Sequence, residues 1–154
     1  MRLCGVQTGK LMKESNPVAE FFNPPDVWQP FGPFSLAAVQ GDGRIVHLKG
    51  QVALDAAGKI VGLGDMRAQL RQVLENIRGV LAAFGGEMRD VFSLTQYTTD
   101  IAALMAAGDI RREVFHPPYP VTTTVEVAKL YDRALLVEIT VIAEIPRQRF
   151  IEPI

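Results

Sequence analysis

The segment from Met66 to Phe84 constrains the fold of this chain more than any other. Met66, Leu70, Val73, Leu74, Ile77, Val80, Leu81 and Phe84 recur at spacings of three and four. That period gathers them on one stripe of a helix of about five turns. Arg67, Gln69, Arg71, Gln72, Glu75 and Arg78 fall largely elsewhere around it. Asp65 is placed to cap its start, and Gly85-Gly86 supplies a stop that tolerates left-handed backbone. A helix with a single apolar stripe must lay it on a sheet or on other helices.

The flanking segments read as strands. Residues 34–40 and 44–50 flank Gly41-Asp42-Gly43, and Asp-Gly between two apolar runs predicts a hairpin. Residues 51–64 are loop-like, with a short strand expected at Lys59–Val61. Residues 90–100 are rich in β-branched and aromatic residues and read as a strand. Helical spacing returns over 101–115 and stops before His116-Pro117-Pro118. In 121–130, Val121, Thr123, Val125 and Val127 share one face, while Thr122, Thr124 and Glu126 share the other. In 134–145, Leu135, Val137, Ile139, Val141 and Ala143 oppose Leu136, Glu138, Thr140, Ile142 and Glu144. The predicted order is β-β-α-β-α-β-β, a mixed sheet with two helices packed on one face, of the α+β class.

A length of 154 residues suits one domain, and 48% hydrophobic against 21% charged residues excludes a disordered chain. Residues 1–33 hold five of the ten prolines and read as an extended N-terminal arm, partly docked through Phe21, Phe22, Trp28 and Phe31. The compact body is expected over 34–146, followed by a tail at 147–154. A net charge of −1 argues against a nucleic-acid partner. No apolar run reaches the roughly 20 residues of a membrane span, and the start shows no signal-peptide pattern. A cytoplasmic protein is expected.

Most catalytic signatures are absent, including a Walker A loop and HExxH. Gly62-Leu63-Gly64 begins like a dinucleotide fingerprint, but Arg67 stands where its third glycine belongs, so a plain loop before a helix is the better reading. His47 and His116 are far apart, and the one cysteine, Cys4, lies in the arm without a fixed activating base. No metal and no cofactor are therefore expected. Glu138 stands out, because a carboxylate within an otherwise apolar strand must be solvated, paired or functional. Its half-polar face suits either a wet cleft or a subunit boundary.

Three stretches carry a family resemblance. They are Lys49-Gly50-Gln51-Val52-Ala53-Leu54-Asp55, the helical Gln72–Ile77, and Val125-Glu126-Val127-Ala128-Lys129-Leu130 followed by Leu136-Val137-Glu138-Ile139. From about Pro33 to Ala143 the chain resembles the YjgF/RidA family of reactive-intermediate deaminases, also called L-PSP endoribonucleases. The resemblance implies a chorismate-mutase-like fold and a homotrimer with a small-molecule cleft at each subunit boundary. It further implies hydrolysis of enamines and imines without metal or cofactor.

Several family positions have changed. Thr122 occupies the place of the arginine that grips the substrate carboxylate, and Thr124 a place often held by cysteine. Threonine cannot supply the arginine's two parallel donors. Phe34 replaces a tyrosine, Lys49 a serine before Gly50, and Gly108 an asparagine. Glu138 is kept, at the position whose glutamate positions or activates water. Lys49 is either a solvated rim lysine or a source of positive charge. Two functions stay open: hydrolysis of an imine-like or related C–N substrate with altered recognition, and a non-catalytic trimer that binds a small metabolite. Ribonuclease action finds no basic, aromatic groove to support it.

Overall fold

The computed structural model describes residues 18–153, so Cys4 and the first half of the arm lie outside the described residues. The strands are β1 (Glu20–Phe22), β2 (Ala37–Val39), β3 (Arg44–Gln51), β4 (Val91–Thr98), β5 (Val121–Glu126) and β6 (Val137–Ile145). The helices are α1 (Met66–Ala83), α2 (Ile101–Ala106) and α3 (Gly108–Val114). The main sheet runs β3-β6-β4-β5, antiparallel except for the parallel pair β4–β5. This is the expected α+β plan, with helices on one face of a mixed sheet.

The helix stripe makes the core. Leu70, Val73, Leu74, Ile77 and Leu81 of α1 are buried against Leu48, Leu94, Ile139, Val141 and Ala143 of the sheet. The carboxylate of Asp65 accepts the Ala68 N–H at 3.0 Å, and Gly85 ends the helix at φ +75. Arg67 forms a two-pronged pair with Asp109 at 2.8 and 2.7 Å, and Arg71 meets Glu113 at 2.9 Å, tying α1 to α3 at the surface. Gln69 departs from the helical reading: it is fully buried. Its amide donates to the carbonyls of Gly62 and Ala134, while its oxygen accepts the Leu136 N–H at 2.8 Å. Those bonds occupy backbone around 134–136, and β6 starts at Val137 rather than at 134.

The hairpin expected around Gly41-Asp42-Gly43 does not form. β2 pairs with β1 of the arm in a separate two-stranded sheet, and β3 pairs with β6. Neither glycine has positive φ. The carboxylate of Glu144, buried in β6, accepts the N–H groups of Gly41 at 2.9 Å and Gly43 at 2.8 Å. A Cβ on Gly43 would lie 2.5 Å from Glu144 Cγ, so close approach rather than turn conformation requires glycine there. The short strand at 59–61 reduces to a single bridge, Leu54 with Ile60. The second helix breaks in two at Ala107, which is fully buried and precedes the poor helix former Gly108.

Leu70→Ala should lower unfolding free energy by about 2–5 kcal/mol, since it empties a filled site beneath the sheet. Arg67→Ala should stay close to wild type in stability, because it breaks only an exposed pair. Urea titration of both variants checks the ranking.

Candidate functional site

Glu138 is the second residue of β6, with its side chain about one quarter exposed (23%). Gly50 faces it from β3, where the pairing register shifts between Leu48 and Gln51. The Glu138 carboxylate occupies the place a side chain on residue 50 would take, so only glycine fits beneath it. Lys49 is 81% exposed and holds its ammonium 4.0 Å from Glu138 Oε1. The loop after this bulge is pinned by Asn76 of α1, which donates to the carbonyls of Val52 at 3.0 Å and Leu54 at 2.9 Å. Glu138, Lys49 and Gly50 thus form one cluster.

Thr122 and Thr124 belong to a different one. Thr122 registers with Leu94 and through it with Val141, and Thr124 registers with Gln96 and through it with Ile139. Those partners line the helix-covered face of the sheet. Glu138 registers with Tyr97 and Val125, on the opposite face. β4 also separates β5 from β6, so Glu138 does not adjoin Thr122 within one chain. The Thr122 hydroxyl donates to the Pro120 carbonyl at 3.2 Å and accepts from Arg111 Nη2 at 3.2 Å. Arg111 Nη2 donates also to the Pro33 carbonyl at 3.4 Å, next to Phe34. Gln96 Nε2 donates to Thr124 Oγ1 at 2.8 Å.

Sequence reasoning missed Arg111. It is four residues past Ala107 and seven past Leu104, on the stripe that α2 and α3 bury, and a cation on a buried stripe is the available signal. Burial, and secondarily its neighbour Arg112, lower the guanidinium pKa to about 10. It therefore stays charged at neutral pH. Among the described residues no group of three His, Cys, Asp or Glu side chains gathers to hold a metal. A cavity of about 580 Å³ lies elsewhere, between Phe21 of the arm and the segments around Asp90, His116 and Arg149, and includes none of the candidate residues. No helix among the described residues is long and apolar enough to cross a membrane.

Comparison with known proteins agrees with this fold. The sequence model of the family "Endoribonuclease L-PSP" matches residues 26–145, starting inside the arm. A RutC family protein of Pyrococcus horikoshii is 34% identical over 115 residues, covering 75% of this chain and 89% of its own. A 2-iminobutanoate/2-iminopropanoate deaminase of Dermatophagoides farinae is 31% identical over 102 residues, covering 66% and 78%. Among solved structures, a Rid-family protein of unknown function from Yersinia pestis superposes with a TM-score of 0.70. It is 32% identical and covers 82% of this chain and 98% of its own.

Thr124→Val should cost about 1–3 kcal/mol, because it strips the buried Gln96 amide of its acceptor. Thr124→Ser keeps the hydroxyl and should stay close to wild type. Equal denaturation midpoints for the two variants would contradict the assignment.

Proposed function

The chain belongs to the YjgF/RidA family, and on that premise we propose that it hydrolyses an imine- or enamine-type C=N substrate in clefts shared by the subunits of a homotrimer. The observation that carries this reading is the Glu138 carboxylate, held over Gly50 on the sheet face that no helix covers. Glu138 holds a water, takes one of its protons as the oxygen adds to the imine carbon and passes it to the nitrogen, then carries the hydroxyl proton of the resulting carbinolamine to that nitrogen as the C–N bond breaks and the carbonyl forms. A carbonyl compound and ammonia result. The Lys49 ammonium, 4.0 Å from Glu138 Oε1, places a positive charge at the rim of that water's site. No metal or organic cofactor enters these steps, and the cytoplasm is the proposed location.

Two observations support assembly. The candidate residues form two clusters on opposite faces of one sheet, so one chain offers two half-sites and no whole one. The uncovered face also carries Ile142, only partly buried, whereas Leu136, expected there too, precedes β6 and packs against the core. A second reading, a non-catalytic trimer that binds a small metabolite, draws on Thr122 and Phe34, which lack the arginine and tyrosine chemistry of the family.

Light scattering should give three times the subunit mass. Glu138→Gln should keep that mass and lose about 100-fold or more in kcat/KM, in an assay coupling a flavin-dependent amino-acid oxidase to imine capture. A monomeric wild type refutes the shared cleft. Undiminished activity in Glu138→Gln refutes the role of Glu138, and a wild type without hydrolysis of any imine favours the binding trimer.

A further inference from the structure

Among the described residues, Arg111 is a buried cation without an anion. It is 8% exposed, and among the described residues no carboxylate stands within 4.0 Å of it, although most arginines of α1 and of the C-terminal segment are paired. Taking a guanidinium out of water costs several kcal/mol unless a counter-charge or a full set of acceptors replaces it. The acceptors are incomplete. Two buried side-chain atoms among the described residues lack a hydrogen-bond partner, Arg111 Nε and Gln96 Oε1. Both belong to the side chains that hold Thr122 and Thr124. Native interiors seldom leave such atoms empty, so two of them, on the side chains bonded to successive same-face threonines of β5, mark a place completed by something else.

The neighbourhood indicates what that is. The Pro33 carbonyl that receives Arg111 is joined through its peptide bond to Phe34, whose ring is 5.2 Å from Phe31 and 6.0 Å from Trp28. Trp28 is 61% exposed and Phe31 89%, a large apolar area to leave in water. The Ser35 hydroxyl donates to the Tyr119 carbonyl at 2.6 Å and fixes this segment beside the start of β5. An uncompensated positive charge and an aromatic shelf are therefore set side by side, tied through one short stretch of backbone.

We propose that Arg111 is the anion-binding group of the second half-site, and that with the Trp28–Phe31–Phe34 cluster it selects a carboxylate ligand bearing an aromatic side chain. This rests on the imine-hydrolysis reading for the place of the cleft and for the ligand's reactive nitrogen. The cation would attract the carboxylate through charge-assisted hydrogen bonding, and the rings offer faces and edges to an aryl group. The substrate class is then the imino acid derived from an aromatic amino acid, in preference to one with a methyl or ethyl side chain.

Calorimetric titration of the full-length protein with phenylpyruvate, pyruvate and the neutral phenylacetamide tests the proposal. Phenylpyruvate should bind about tenfold or more tighter than either of the other two. Arg111→Met should weaken phenylpyruvate about tenfold without changing phenylacetamide, and Arg111→Lys should fall between. Trp28→Ala and Phe31→Ala, at exposed positions, should reduce phenylpyruvate to the affinity of pyruvate, which keeps the test open if Arg111→Met does not fold. Equal binding of phenylpyruvate and pyruvate overturns the proposal. So does a Trp28→Ala variant that loses its oligomeric state with ligand preference intact, since the shelf then covers a second copy. The predicted binding pattern without imine turnover leaves this assignment standing and refutes the hydrolytic reading. Turnover without the pattern does the reverse.

Discussion

The alternation of side chains along β6 is the constraint on which the rest of the molecule depends. Val137, Ile139, Val141 and Ala143 seal one face under α1, and this fixes Glu138, Thr140 and Ile142 on the other. A shift of one residue would bury Glu138 among leucines and isoleucines, at a prohibitive cost for an unpaired carboxylate. The register across β4 carries the same rule to β5, where it puts Thr122 and Thr124 beneath the helices. The separation of the candidate residues into two groups is thus a consequence of sheet geometry. In the proposed trimer, a shared cleft turns that separation into a reason for assembly.

Polar side chains then determine where the loops go. Gln69 holds the entry to β6, Asn76 holds the loop beyond Gly50, and Glu144 gathers the amides of Gly41 and Gly43. Glu126 accepts the Ile101 N–H at 2.9 Å and seats the start of α2. Asn76 and Glu126 lie in the stretches that carry the family resemblance, and both bond to backbone around the site instead of projecting into it. Motif residues of this kind act by shaping loops.

Periodic features were legible in the sequence and contact-dependent ones were not. The stripe of α1, the alternation of β6 and the cap at Asp65 depend on local spacing, and all three stand in the structure. The expected hairpin failed because Gly41 and Gly43 answer to Glu144, about a hundred residues away. Likewise, Glu138, Lys49 and Gly50 come together because β3 and β6 are neighbours. Thr122 could be numbered from the resemblance, but not the guanidinium standing behind it. Arg111 of α3 reaches Thr122 of β5 through a contact that no local period encodes.

Subunit complementation tests the shared cleft most directly. Glu138→Gln disables one half-site, and Thr122→Glu fills the other by setting the protein's own carboxylate against Arg111. Each variant alone should be inactive on imines. After unfolding and refolding as an equal mixture, random assembly gives clefts with both halves intact in about one case in four, so about a quarter of wild-type activity should return. Mixed trimers with no recovered activity would contradict the account, because the catalytic groups would then have to lie within a single chain.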